Sequence, residues 1–230
     1  QKREELTSAI STIKSEDFNG GNINDPQQLL QGKVAGLNIA RVGSDPNQPF
    51  NIRLRGLSTF GANAEPLVII DGVIGGALDS VDPADIESIN VLKDASAGAI
   101  FGSRGSSGVI IVTTKTGKGV AKSGLEYRGY VSSEEISNLI PMASYDEFLS
   151  YGGLNLGSKT DWVDLVSRTA ISQVHNIAFT GSSANGLAYR ASLNYRDIEG
   201  VLNTSGFEQI NGRINVTQKL LEDRLKIQAN

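Results

Sequence analysis

Two patterns of hydrophobic spacing divide this chain. Up to about residue 119 the apolar positions fall in short blocks, such as 67–70 and 109–112, separated by Gly, Pro and Asp. Blocks of this length bounded by turn residues predict short, buried strands. Strands are expected at 38–41, 51–55, 66–70, 88–92 and 109–115. Asp25-Pro26 predicts an N-cap with Pro at the first helical position, opening a short helix through Leu29, Leu30 and Val34 that Gly36 closes. Asp82-Pro83 repeats that signature before Asp85, and Asp94 is placed to cap a helix over 95–101 that ends on Gly102. Asp71-Gly72 is a turn signal.

Beyond about residue 124 the pattern changes to strict alternation. Tyr189, Ala191, Leu193 and Tyr195 alternate with Arg190, Ser192, Asn194 and Arg196. Ile210, Gly212, Ile214 and Val216 alternate with Gln209, Asn211, Arg213, Asn215 and Thr217. Shorter runs of the same kind lie at 125–130 and 224–228. Successive side chains of a strand point to opposite faces, so each run has one apolar and one strongly polar face. Turns are expected at 183–186 and 197–200, and Ser144 with Glu147 forms a capping box for a helical insertion, with a second short helix at 161–165. Soluble antiparallel sheets also alternate. Here, however, the polar faces carry Arg and Asn, and Tyr189 and Tyr195 sit on the apolar face near strand ends, as an interfacial girdle requires.

Composition narrows the function classes. The 230 residues carry a net charge of −4, which argues against a phosphate-binding surface for nucleic acid. There is no cysteine and a single histidine, His175, which leaves almost no material for thiol chemistry or a His-based metal or triad site. No apolar run is long enough for a spanning helix, but barrel strands leave only a weak hydropathy signal. The glycine-rich run 102–108 precedes a strand, whereas a phosphate loop follows a strand and opens a helix. The acidic residues Asp82, Asp85, Glu87 and Asp94 lack the alternating oxygen-ligand spacing of a calcium loop, and read instead as caps and contacts. Neither a catalytic constellation nor a cofactor or metal site is expected.

Three blocks carry a family resemblance. They are Arg53-Leu54-Arg55-Gly56-Leu57-Ser58, then Pro66-Leu67-Val68-Ile69-Ile70-Asp71-Gly72-Val73, then the stretch from Asp85 through Glu87, Lys93-Asp94-Ala95-Ser96 and Ser103-Arg104-Gly105 to Lys115. In this order and spacing they resemble the plug signature of TonB-dependent transporters, and the Lys93–Ser96 and Ser103–Gly105 forms resemble the SusC/RagA group. Residues 160–162, 199–200 and 212–215 fit the same group in the second region. Phe101 stands where the family usually has Tyr, Ser106-Ser107 replaces an Ala-Asn pair, and Gln209 sits where a basic residue is common.

The resemblance implies an α+β plug domain with a small mixed sheet over residues 1–119, followed over 120–230 by antiparallel strands of a transmembrane β-barrel that is incomplete in this chain. A barrel of about 22 strands is an open hole unless filled. The expected plug signature and wall contacts are Arg53, Arg55, Gly56, Asp71, Gly72, Glu87, Lys93, Asp94, Gly102, Arg104, Gly105 and Gly108. The expected lumen-facing wall residues are Arg190, Asn194, Arg196, Gln209, Arg213 and Asn215. The resemblance further implies active import of an oligosaccharide or peptide across the bacterial outer membrane, with the N-terminus periplasmic. Its expected partners are a SusD-like surface lipoprotein, outer-membrane lipid, and TonB acting on an N-terminal segment outside these residues. Because lipid cannot satisfy open strand edges, the reading also implies a longer polypeptide.

The alternative is a soluble glycan-binding or interaction module. Expressed alone in water, residues 1–230 should aggregate through unpaired apolar strand edges; a soluble monomer in sedimentation would favour the module.

Overall fold

The computed structural model describes residues 10–19, 23, 25–41, 43, 45–54, 65–93, 101–120, 123–155, 157, 159–221 and 224–230. All but the last residue of the expected helix at 95–101 and its cap Asp94, together with Arg55 and Gly56, lie outside the described residues.

The first region is built on a mixed five-stranded sheet. Strands β1 (Ile10–Lys14), β4 (Leu67–Ile70), β5 (Val73–Ile74), β6 (Ile86–Leu92) and β7 (Val109–Thr114) take the order β1-β6-β7-β4-β5. Only β4 and β7 run parallel. The central strand β7 is apolar on both faces over 109–112, as a strand covered on both sides must be, whereas β6 mixes its buried Ile86, Ile89, Val91 and Leu92 with the polar Glu87, Ser88 and Asn90. Ile86, Ile89, Val91, Val109, Ile110 and Val112 are fully buried. A two-stranded ribbon, β2 (Leu37–Arg41) with β3 (Phe50–Leu54), adds Ile39, Ile52 and Leu54 to the core. The Asp25-Pro26 start yields a 3-10 helix over Pro26–Leu30, shorter than expected, with the Asp25 side chain accepting from the Gln27 amide. Gly32 follows it at a φ of 75°, which stops the coil before Val34. The β4–β5 hairpin turns on Asp71 and Gly72, both at positive φ (49° and 90°), the geometry of a type I′ turn.

The second region is an antiparallel meander. Strands β8 (Gly124–Glu134), β9 (Ala170–Ser182), β10 (Leu187–Glu199), β11 (Gly206–Leu220) and β12 (Leu225–Ala229) pair in sequence order. Strands β8 to β11 hold 11 to 15 residues, at least the roughly 9–11 that a tilted strand needs to cross a bilayer. The β8–β9 connection carries helices over Tyr145–Ser150 and Trp162–Val166, the first closed by the reciprocal Ser144–Glu147 capping box. Two expectations shift. Residues 197–199 belong to β10, paired with β11 down to Glu199–Gly206, so the turn moves to the stretch after Gly200. Strand β9 was not legible as a strand, because its outward positions Gln173 and His175 and its inward Val174 and Ala178 blur the binary pattern.

The two faces of this sheet are opposite in character. Leu125, Tyr127, Val131, Ile177, Phe179, Leu193, Ile210 and Ile214 are exposed on the face away from the plug. His175 lies in an aromatic row on that face: its ring stacks at 6.1 Å from Tyr127 and 6.4 Å from Tyr195, and its Nδ1 is 2.7 Å from the Tyr127 hydroxyl. A second pair, Phe179 and Tyr189, sits 5.7 Å apart nearer the β9–β10 turn. The apolar sides therefore face outward, and the polar sides face the plug. No helix among the described residues is long and apolar enough to cross a membrane.

Ile110 is fully enclosed between the plug's strands and its loops. Ile110→Ala should destabilise the plug by about 2–5 kcal/mol. Hydrogen exchange should show faster opening of β6 and β7 with β9 and β10 unchanged.

Candidate functional site: the plug–wall seam

Three clusters of polar contacts join the plug to β10 and β11, beside a lone bond from Asn47 Nδ2 to the Gly206 carbonyl. The deepest is centred on Asp85. A 3-10 turn over Pro83–Asp85, capped by the Asp82 carboxylate accepting from the Ala84 amide, delivers Asp85 to the wall. Its carboxylate accepts from Arg190 Nη2 (2.9 Å), Ser192 Oγ (2.6 Å) and Asn194 Nδ2 (3.0 Å). These are alternate residues of one strand, so β10 aims all three inward. Arg190 also donates to Thr180 Oγ1 at 2.8 Å, and Asn194 accepts from Asn176. The pair is almost dry, with side-chain exposures of 6% and 3%. Burial by itself would raise the Asp85 pKa, but donation from Ser192, Asn194 and Arg190 outweighs it and holds the carboxyl below its ordinary 3.8. Breaking a buried pair by deleting one partner costs about 3–5 kcal/mol.

The second contact uses the β4–β5 turn. Asp71 accepts from the Thr114 amide (2.9 Å) and hydroxyl (2.7 Å) within the plug, and from Arg213 Nη1 (2.9 Å) of the wall. Beside it, Asn215 Nδ2 donates to Thr114 Oγ1 at 3.0 Å and to the Lys115 carbonyl at 2.9 Å. Arg213 is 24% exposed, so this pair is worth less than the Asp85 pair. The third contact is to plug backbone: Arg196 donates to the Asp79 carbonyl at 3.0 Å and to Gln209, and Asn211 donates to the Ser80 carbonyl.

Around this third contact, burial pushes the Asp82 and Asp25 carboxyls up, only partly offset by their capped amides and by the charge of Arg196. Burial likewise pushes Lys115 down; its ammonium donates to the Ala84 carbonyl at 2.6 Å. The chain leaves the plug against the wall at Gly117. A Cβ there would meet the backbone of Tyr189 and Gly181 at 2.4–2.5 Å, closer than any side chain tolerates.

The structure thus brings Asp71, Arg190, Asn194, Arg196, Arg213 and Asn215 together at one seam, with Gln209 bonded to Arg196. Other expected positions lie elsewhere. Arg53, Gly102 and Arg104 are exposed, Arg53 opposite Asn38 in the β2–β3 ribbon. Glu87 is exposed at the β6–β7 register shift, and Lys93 follows the end of β6. Gly72 completes the β4–β5 turn, and Gly105 and Gly108 are buried within the plug. Among the described residues, none of Arg53, Glu87, Lys93 and Arg104 forms a hydrogen bond or ion pair with β8–β12. The seam instead uses Asp85, Thr114 and the carbonyls of Asp79 and Ser80. Asp85 was legible only as one acid in a cluster. Ser192 and Thr114 gave no signal beyond their place in an alternating or β-rich run.

A small mixed-sheet domain, held by buried carboxylates to the polar face of strands whose other face is greasy, is the plug and wall of a TonB-dependent receptor. Residues 2–109 match the TonB-dependent Receptor Plug Domain family. The chain belongs to the SusC/RagA group of these TonB-dependent receptors. It is 36% identical to the TonB-dependent receptor SusC of Bacteroides thetaiotaomicron, over all of this chain (100%) and 24% of that protein. It is 35% identical to the TonB-dependent receptor P26 of Formosa agariphila, over 98% of this chain and 25% of that one. The RagAB peptide importer in its open-open state superposes with a TM-score of 0.85 at 26% identity, covering 96% of this chain and 30% of that chain. The siderophore receptor PirA of Acinetobacter baumannii, at 17% identity and a TM-score of 0.62, shares the fold. The chain spans about a quarter of the length of the curated relatives it matches.

Asp85→Ala leaves Arg190 with only Thr180 and the Glu126 carboxylate, 3.7 Å away, and should loosen the plug by about 3 kcal/mol in the full-length protein, read as earlier plug melting or faster proteolysis. The pH dependence has opposite signs at the two acids. The depressed Asp85 contributes stability above its unfolded value of 3.8, and that contribution fades as pH falls through its lower folded value. The raised Asp82 favours the folded state only at low pH, and that contribution is lost as pH rises through its folded value. Asp82→Asn, which keeps a capping oxygen, should therefore raise plug stability at neutral pH, with the gain shrinking towards pH 4.

Proposed function

We propose that this chain is the plug and first wall strands of a transporter that actively imports a nutrient, an oligosaccharide or a peptide, across the bacterial outer membrane. The observation that carries this reading is the sorting of the second sheet: its exposed face is apolar and aromatic, while its other face is filled by hydrogen-bonded plug residues. A soluble module would bury the first face and wet the second. The relatives named above are receptors and importers, which supports transport over catalysis.

In this reading residues 1–119 stop the pore and residues 120–230 begin the wall. The β9–β10 turn faces the periplasm together with the N-terminus, and the β8–β9 connection faces outside. TonB acts through a segment N-terminal to the plug, and a SusD-like surface lipoprotein covers the outer mouth. Both assignments rest on kinship with SusC and RagAB. Arg53, Arg55, Arg104 and Glu87 are assigned to wall strands beyond the five described. Uptake requires the plug to shift against the wall.

These 230 residues hold no cysteine, and the pair is introduced into a full-length protein from which any other cysteine has been replaced. Ser80 and Asn211, joined across the seam through the Ser80 carbonyl, are suitable sites. With cysteines at both positions closed by a short thiol cross-linker, uptake by cells should stop and return on cleavage of the linker. Normal uptake with the link closed would refute plug movement at this seam.

A further inference from the structure

The turn between β10 and β11 is filled by a side chain from elsewhere in the chain. Arg168, just ahead of β9, donates from Nε to the Gly200 carbonyl (3.1 Å), from Nη2 to the Ser205 carbonyl (2.8 Å) and from Nη1 to Glu199 (3.1 Å). Its amide donates to the Val201 carbonyl at 2.8 Å. One planar guanidinium thus ties both ends of the turn together, which needs the fixed fork of arginine. Glu199 is held in its own right. Its other oxygen accepts from the Ile171 amide at 3.0 Å, and its amide donates to Ser172 Oγ at 3.1 Å. The Arg168 and Glu199 side chains are 32% and 36% exposed, so the charge of the pair is worth little and its geometry most. On the far side of the turn, Asn203 meets the end of the helix over Trp162–Val166. Its side chain donates to the Leu165 carbonyl (2.9 Å) and its amide to the Val166 carbonyl (2.8 Å).

The plug touches this filled turn. Asn47 Nδ2 donates to the Gly206 carbonyl, and a Cβ at Gly200 would come within 2.9 Å of Pro46 Cδ. Pro46 and Asn47 lie between β2 and β3, in a loop filled by an arginine of its own. Arg41 donates to the carbonyls of Pro46 (2.8 Å) and Gln48 (3.2 Å) and lies 4.7 Å over the Phe50 ring. Asp45 accepts from the Asn47 amide on its side chain (2.9 Å) and from the Gln48 amide on its carbonyl (3.1 Å). Two stiffened loops therefore abut, at the opposite end of β10 from Arg190. Among the described residues, Arg168 itself forms no hydrogen bond or ion pair with the plug.

We propose that Arg168 is a positioning residue that makes the β10–β11 turn the seat of the plug's 45–50 loop. Through it the β8–β9 connection, with the helix it carries, is joined to that loop by an unbroken run of hydrogen bonds. A shift of the connection reaches the plug by this route without passing through the Asp85 cluster. That the seat lies at the outer mouth rests on the transporter reading; the seating itself rests on the bonds alone.

The test is amide hydrogen exchange on the purified full-length protein, which needs no substrate. Arg168→Met should speed exchange about ten-fold at Gly200 and Ser205, the worth of one charged hydrogen bond. It should do the same at Asn47 and Gln48, which Arg168 does not touch, with β6 and β7 unchanged. Arg168→Lys keeps the cation but cannot span both carbonyls, and should behave like Arg168→Met. Asn47→Ala should free the 45–50 loop and leave Gly200 and Ser205 protected, and adding Arg168→Met to it should change the loop no further. A turn that loosens while Asn47 and Gln48 stay as protected as in the wild type overturns the seat. So does a lysine that restores full protection, because charge alone would then suffice. Faster exchange in β6 and β7 in both Arg168 variants would make the residue a general stabiliser and overturn the seat as well. Absence of the full-length protein from outer membranes would defeat the transporter reading instead, with the seat still decided by exchange.

Discussion

A carboxylate taken out of water must find donors, and at Asp85 all but the plug's own frame comes from the wall. Three alternate residues of β10 converge on it, and the lattice spreads from there through Arg190 to Thr180 and through Asn194 to Asn176. This single requirement orders the seam. It fixes the depth of the 3-10 turn over Pro83–Asp85, sets the register in which β10 meets the plug, and keeps Lys115 next to its backbone, where the Lys115 amide donates to the Asp85 carbonyl at 2.8 Å. Charged hydrogen bonds of this kind are short and directional, so they specify a docking geometry that apolar contact alone leaves loose.

The second sheet inverts the usual arrangement of a soluble protein. Its inward face is the polar one, filled by a domain rather than by water, and its outward face carries Leu, Ile, Val and aromatic rings. The plug keeps a conventional apolar core of its own, closed around Ile86, Ile89, Ile110 and Val112. Two solvation problems are thus solved by one chain. The plug folds by burying apolar side chains, whereas it docks by satisfying polar ones. Docking of that kind rests on a few polar contacts, which can be broken without opening the apolar core.

Much of this was legible in the residues. Strand alternation at 189–195 and 209–217 assigned the faces of β10 and β11, including the inward direction of Arg190, Asn194, Arg196, Arg213 and Asn215. The Asp25-Pro26, Asp82-Pro83 and Ser144–Glu147 signals marked helix starts, and Asp71-Gly72 marked its hairpin. Strand β9 was not legible, because small and mixed residues on both faces erase the contrast that alternation needs. The expected bridging by Arg53 and Arg104 was a statement about residue type. Where they lie depends on which side of the plug these five strands cover, and the strands cover the side with the β4–β5 turn and the Asp82–Asp85 loop.

The sequence by itself determined which side chains could share a face, since that follows from the two-residue repeat of an extended chain and from turn chemistry a few residues long. It did not determine which acid meets which base. Arg190 and Asp85 are separated by 105 positions, and Arg213 and Asp71 by 142. No local pattern encodes such a meeting. Only the tertiary structure, by setting the plug's loops against particular rungs of the wall, decided that Asp85 would be locked from outside and Asp71 from within.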